Sequence, residues 1–489
     1  MRARAIIAAL FVLGTLAAQT QPPVFRSGTR LVEVEVVVRD KKGPVTGLTR
    51  EDFTLLDQGK PQPIAVFMGA AVTSPPPAKS SALPPGAISN RANMTSATVL
   101  LFDQLNTMLE NQGYARKAML KLLEATPPGQ QIAIYLLGKH LTVIQDFTGS
   151  PETLASAVRK WSPNSLYLLM QDDENMDEVD RSSQCGPICQ QIRNDMTKEA
   201  LGKITQHLAG MPGRKSLIWL SDNPHGPGTQ FLAPADIHLY SVLTRGVGSP
   251  GVNAWMRDTR EKGGMPGFTP IALPMGDDIG RQRANSEIAA ATGGAGFTDS
   301  RDISLAVQRA IEDATSSYTL GFYPDGDSLD NKFHALTVRL DKKRGRTLEV
   351  RYRPGYFAAA NVHPSSAPAS LDAVLANPLD ATAIGLTALP GSSNGNYQVT
   401  LTVDLHDVHF ETQDNRHAAM LSLSFATDTP RQIETEQLKL SFTDAEFAVA
   451  RENGLIGTRT FPQKSPVRII ARDAATGIAG SIRVVPPAQ

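Results

Sequence analysis

Through residues 96–358, short unbroken apolar runs alternate with stretches in which apolar residues recur every three or four positions. The runs at 98–103, 216–220 and 237–244 predict strands buried on both faces of a parallel sheet. The stretches at 108–124, 151–161, 198–208, 286–292 and 303–316 have helical spacing. Ser150, just ahead of Pro151, predicts an N-cap, because its hydroxyl can accept from an otherwise unbonded amide. Gly293 and Gly294 predict a helix stop. Such alternation predicts a doubly wound α/β unit with helices on both faces of its sheet. A strand pair at 131–137 and 141–144, turning at GlyLysHis, belongs to it, as do runs at 317–323, 334–339 and 347–352.

The pattern changes on either side. Residues 30–40 alternate in part, LysLysGly at 41–43 reads as a turn, and 63–67 is again apolar, which predicts a small β-rich module over 28–70. Beyond 371, runs at 397–405, 417–425, 437–442 and 467–473 occur with little helical periodicity, so 371–489 reads as a β-sandwich-like domain. The Pro-, Ala- and Ser-rich stretches 71–95 and 359–370 read as linkers. At the N-terminus, Arg2 and Arg4 precede an apolar run at 5–18 that ends in small residues. That is the pattern of an export signal over 1–19, cleaved near Ala17 or Ala18. The run is short of the roughly 20 residues a membrane-spanning helix needs, and no later stretch is apolar enough to serve. Export implies the periplasm, the cell envelope or the exterior.

Composition narrows the function classes. The chain has 489 residues, 41% hydrophobic and 20% charged, with no net charge. It is globular and multidomain, and it lacks the basic surplus that nucleic acid or anionic lipid would require. Cys185 and Cys189 are the only cysteines, and an oxidising compartment predicts a disulfide between them. So short a ring contributes only about 2 kcal/mol. Three residues intervene where a redox pair has two. The acidic run at 172–180 lacks the spacing and glycine of a calcium loop and reads as solvated. His225 follows the 216–220 strand on a loop but has no histidine cluster around it. No nucleophile elbow, HisGluxxHis pair or phosphate loop occurs, so no enzyme activity is expected.

The candidate chemistry lies where two apolar strands end in aspartate. LeuPheAspGlnLeuAsnThr at 101–107 contains Asp103, and LeuIleTrpLeuSerAsp at 217–222 ends in Asp222. Carboxylates there occupy the carboxyl edge of the sheet, where open α/β folds bind ligands. They either converge on a cation or brace the following helices.

The order of these elements resembles the von Willebrand factor type A domain, a Rossmann-like fold with a metal-ion-dependent adhesion site. In that motif hard oxygens surround Mg²⁺ or Mn²⁺, and a partner's carboxylate completes the shell. The resemblance assigns Asp103 as the first aspartate, Thr107 as the second hydroxyl and Asp222 as the later aspartate. Thr197 is the candidate for the distant threonine, with Thr148 the alternative. Leu105 stands where a serine ligand belongs, so Mg²⁺ or Mn²⁺ binding is expected to be weak or absent. Further segments resemble von Willebrand A-related proteins of acidobacteria: 45–53, 212–221, 291–297, 317–324 and 351–357. Each also has a local reading as turn or strand end. The expectation is an exported, non-enzymatic interaction or adhesion protein that docks a protein partner at the Asp103 edge. The alternative is a metal-free scaffold of an envelope assembly.

Overall fold

A computed structural model of the chain describes residues 31–486, apart from 70–82, 92–95, 164–186, 225–231, 245–275, 298–302, 325–331, 342–347, 359–369 and a few shorter breaks. The export signal, the acidic run, Cys185, the Cys189 side chain and His225 lie outside the described residues. The described chain is mixed α/β, with many strands in five sheets and few helices.

The chain opens with β1 (Val32–Asp40), β2 (Gly43–Pro44), β3 (Phe53–Asp57), β4 (Lys60–Gln62), β5 (Val66–Met68) and β6 (Ile88–Ser89). The central part follows: β7 (Ser96–Asp103), α1 (Leu109–Ala125), β8 (Ile132–Leu137), β9 (Leu141–Thr148), α2 (Pro151–Lys160), α3 (Pro187–Leu208), β10 (Arg214–Ser221), β11 (Ile237–Leu243), α4 (Gly276–Ala290), β12 (Ala295–Phe297) and α5 (Ile303–Thr315). Its sheet runs β12-β11-β10-β7-β8-β9. All neighbours are parallel except β9, which is antiparallel to β8.

The two faces explain the unbroken apolar runs. Along β7, Leu100 and Phe102 pack with Met119 of α1, Leu154 of α2 and Val307 of α5. The intervening Val99 and Leu101 pack with Leu201 and Ile204 of α3. A strand covered on both sides favours apolar residues along most of its length, although Thr98 of β7 and Ser216 of β10 are also buried. Ser150 caps α2 as expected, accepting from Thr153 N at 3.2 Å. Gly294 does more than stop a helix, since a Cβ there would lie 1.8 Å from the Leu239 carbonyl oxygen.

The chain then forms β13 (Tyr318–Phe322), β14 (Phe333–Leu340), β15 (Glu349–Arg351) and β16 (Gly355–Phe357). The sequence reading grouped these strands with the central sheet. They pair instead with the N-terminal strands: β13 and β15 flank β1, and β14 lies against β3. The physical reason is apolar surface. Val34, Val36 and Leu55 gain a common core only when Tyr318, Leu320, Phe322 and Leu336 join them, because a few short strands alone are marginal in water.

The remainder is α6 (Leu371–Ala376), β17 (Leu386–Ser393), β18 (Asn396–Val403), β19 (Glu411–Gln413), β20 (Arg416–Asp428), β21 (Arg431–Phe442), α7 (Asp444–Asn453), β22 (Leu455–Pro462), β23 (Val467–Asp473) and β24 (Ala479–Val484). These strands make two antiparallel sheets around one apolar core that includes Leu401, Tyr397, Phe425 and Ile469. Strand β6, inside the stretch read as a linker, joins β17. Beside it the buried Asn90 amide donates to the Ala381 and Ile384 carbonyls at 2.8 and 2.9 Å. Helix α7 was not expected. It buries no residue, so it leaves no apolar period to read, and it begins with the Thr443/Glu446 capping box.

Candidate functional site

Parallel register sets the site. Strands β7 and β10 are neighbours, with Phe102 opposite Leu220, so Asp103 and Asp222 emerge side by side at the carboxyl end of the sheet. Asp103 is fully buried at the end of β7. Its carboxylate accepts from Asn106 N at 2.9 Å, Trp219 Nε1 at 3.1 Å and Ser221 Oγ at 2.8 Å. Asn106 Nδ2 donates to both Asp103 oxygens, at 3.2 and 3.0 Å, and reaches Thr197 Oγ1 at 3.3 Å. Asp103 thus braces the loop ahead of α1.

The second half, beside it, has its own partners. Thr107 Oγ1 accepts from Asp222 N at 3.2 Å. Gln112 Nε2 holds the Thr107 carbonyl at 2.9 Å. Asn111, on the first turn of α1, donates from Nδ2 to Asp222 Oδ2 at 2.7 Å, and Thr244 Oγ1 donates to Oδ1 at 2.5 Å. Asp103, Thr107, Thr197 and Asp222 therefore lie together at one edge, in two neighbouring hydrogen-bonded groups, Asp103 with Thr197 through Asn106 and Thr107 with Asp222. Thr197 arrives from the interior of α3, which starts at Pro187, not from the opening of a helix as its sequence context suggested. Thr148 is elsewhere engaged, accepting from Ser150 N at 3.2 Å.

Burial pushes the Asp103 carboxyl up to about 6, against the lowering effect of its Asn106, Ser221 and Trp219 hydrogen bonds. The donors are neutral, and dipoles recover only part of the hydration a buried carboxylate loses.

The residue set fits a cation poorly. Leu105 is turned into the apolar core with Leu101 and Leu201, so it offers no oxygen. The Asn106 amide sits between Asp103 and Thr197, the place a bridging cation would need, and the Thr107 hydroxyl already accepts from Asp222 N. An amide NH₂ there supplies partial positive charge in place of an ion. Five residues at this edge were missed by the motif: Asn106, Asn111, Trp219, Ser221 and Thr244. All except Thr244 lie inside or within four residues of the two aspartate motifs, and their amide and hydroxyl donors were the available signal.

A second cluster lies at the opposite, amino end of the sheet. Ligand-type atoms of Glu35, Asp236 and His238 come within 4.8 Å of one another. His238 Nε2 is 3.0 Å from Glu35 Oε2. Arg214 pairs with the same carboxylate and donates to Tyr240 Oη at 3.0 Å, and Arg353 Nη1 is 3.6 Å from Asp236. Burial would raise Glu35, yet Arg214 and His238 outweigh it and hold the group at about 2. Guanidinium groups thus already face these carboxylates, and a dication would add unbalanced positive charge. Nearby, Asp313 of α5 binds Arg39 and Arg351, both at 2.6 Å. These partners come from β1, β10, β11, α5 and β15, too far apart in sequence to read as a motif.

No protein-family model matches the chain, and no curated protein matches it significantly. Among solved structures, the conserved hypothetical protein BatB from Bacteroides thetaiotaomicron matches at 13% identity over 30% of this chain and 66% of its own, just under two thirds, with a TM-score of 0.21. An aerotolerance-related membrane protein from Bacteroides fragilis matches at 13% identity over 45% of this chain and 98% of its own, with a TM-score of 0.25. Proximal thread matrix protein 1 from the mussel byssus, with a zinc-occupied MIDAS motif, matches at 10% identity over 32% of this chain and 37% of its own, with a TM-score of 0.18. Likenesses this distant carry no weight for function.

Proposed function

We propose that the chain is an exported, non-enzymatic interaction protein with a von Willebrand A-like centre, and that it docks a protein partner at the carboxyl end of the central sheet without a bridging metal. The observation that carries this reading is the convergence of Asp103, Thr107, Thr197 and Asp222 at one edge, braced by Asn106 and Asn111. Such bracing presets a surface and lowers the ordering cost of binding. Gln104 and Asn106 are its partly exposed residues, so they would meet the partner. Export rests on the N-terminal pattern alone. Among the described residues no helix is long and apolar enough to cross a membrane.

The test is capture of a partner from extracts of the source cells, in Mg²⁺ and in EDTA. The expected result is equal capture in both buffers, at least tenfold weaker with Gln104→Arg. Capture that needs the metal, or that ignores both Gln104→Arg and Asp222→Ala, overturns the reading.

A further inference from the structure

The last turn of α3 is where the C-terminal strands are seated on the central part of the chain. Residues 377–384 form a strap across it. Thr382 N donates to the Gln206 carbonyl at 3.3 Å, and Thr382 Oγ1 donates to the His207 carbonyl at 2.6 Å. A helix end leaves such carbonyls without partners of its own. Gly210 N donates to Thr382 Oγ1 at 2.9 Å, and a Cβ on Gly210 would lie 1.7 Å from the Thr382 carbonyl oxygen. On its other side, the strap accepts from Arg468 of β23 at the Leu379 carbonyl, at 2.7 Å, and Ala381 N donates to Ser481 Oγ of β24 at 3.0 Å. The strap is thus held from both sides.

His207 sits under it. The residue is buried, with its ring stacked on Phe147 at 5.8 Å and edge-on to Tyr135 at 6.2 Å. Its Nδ1 lies 2.7 Å from the Asp380 carbonyl oxygen. A carbonyl only accepts, so Nδ1 carries the proton. Nε2 is buried and has no hydrogen-bond partner among the described residues. A second proton would have to go there, and the charged groups around the ring do little to hold it. From β9, Asp146 Oδ1 is 3.8 Å away on a mostly exposed side chain. It already accepts from Tyr135 Oη of β8 at 3.2 Å and from Phe147 N at 2.8 Å. From the strap, the Asp380 carboxylate is engaged by Ser481 Oγ at 2.9 Å and Arg468 Nη2 at 3.4 Å. From α3 itself, Lys203 pairs with Glu199 at 2.6 Å. Burial accordingly lowers the His207 pKa from its usual 6.5, and Asp146 and Asp380 offset only part of that.

We infer that His207 is a proton switch for the seating of the C-terminal strands: neutral, it keeps the strap closed on α3, and protonated, it releases it. The closed form binds the second proton less well than a form in which the ring meets water. Closure is therefore complete above the usual 6.5 and weakens as pH falls below it. This inference does not depend on what docks at the Asp103 edge.

The test is hydrogen exchange of the full chain at pH 7.5 and 5.5, corrected for the intrinsic pH dependence of exchange. The amides of Gly210 and of 381–384 report the strap, and those of 399–403 in β18 report the core of the C-terminal strands. In wild type, the strap amides should lose protection at least about threefold at pH 5.5, while β18 keeps its own. His207→Gln can still donate to the Asp380 carbonyl but cannot take a proton, and its strap should lose no protection. Equal loss in the two proteins, no loss in wild type, or a loss shared by β18 overturns the inference. Carbon-13-labelled histidine in wild type decides the matter should His207→Gln fail to fold. The His207 ring should then be mostly neutral at pH 6.5, and a ring half protonated at or above that pH overturns the inference.

Discussion

The two ends of the central sheet bury carboxylates in opposite ways. At the amino end, Glu35 and Asp313 meet the guanidinium groups of Arg214, Arg39 and Arg351. At the carboxyl end, Asp103 meets an amide, a hydroxyl and an indole. The outcome for the proton differs accordingly: Glu35 is held at about 2, whereas Asp103 rises to about 6. A formal opposite charge outweighs desolvation, and neutral dipoles do not. The charged end joins the β1–β13 sheet to the central sheet and reads as a structural seam. The neutral end's bonds from Asn106, Asn111 and Thr244 to the two aspartates, and from Asp222 to Thr107, stay within the central module, and its side chains are preset at the edge where α/β sheets bind.

Breaking the seam should have the larger effect. Arg214→Met leaves Glu35 buried beside His238 without its guanidinium. The expected loss is about 3–5 kcal/mol of unfolding free energy, measured by urea titration at neutral pH. A change below 1 kcal/mol would show that the seam is not what holds the modules together.

Sharpening the contrast calls for pH. The folded value of Asp103 lies above its usual 3.8, so its stabilising contribution is complete below that value and is lost as pH rises through about 6. At about 1.4 kcal/mol for each pH unit, the loss is roughly 3 kcal/mol. Glu35, with its folded value lowered, has the reverse dependence, and its contribution is lost as pH falls through about 2. Wild type should therefore lose stability relative to Asp103→Asn between pH 4 and 7. A flat difference across that range would mean that the Asn106, Trp219 and Ser221 donors fully compensate burial.

Much of the neutral end was legible in the chain, and little of the seam was. Asp103 and Asp222 could be read because each ends an apolar run, and two-sided burial makes such runs conspicuous. Thr107 followed from the resemblance to the type A motif. Thr197 was the candidate for that motif's distant threonine, although it lies inside α3 and not at a helix start. The bracing amides were not found, because the reach of Asn106 back to Asp103 and across to Thr197 has no periodic signature. The seam joins Glu35 to Arg214 and Arg39 to Asp313, and β1 to β13. Pairings so distant in sequence leave only local traces, such as the 212–221 segment, which reads as a turn or strand end and supplies Arg214. Gly213 does have the positive φ, +72°, of a turn. Its neighbour Arg214 does more than the turn reading implied.

The central claim is that amide and hydroxyl donors, and not a cation, organise the Asp103 edge. The direct measurement is calorimetric titration of Mg²⁺ and Mn²⁺ into chelator-stripped protein, with Asp103→Ala as the control. The account predicts no saturable heat up to millimolar metal in either protein. Saturable binding in the wild type that disappears in Asp103→Ala would contradict it, and would mean that the Asn106 amide yields its place to an ion despite Leu105.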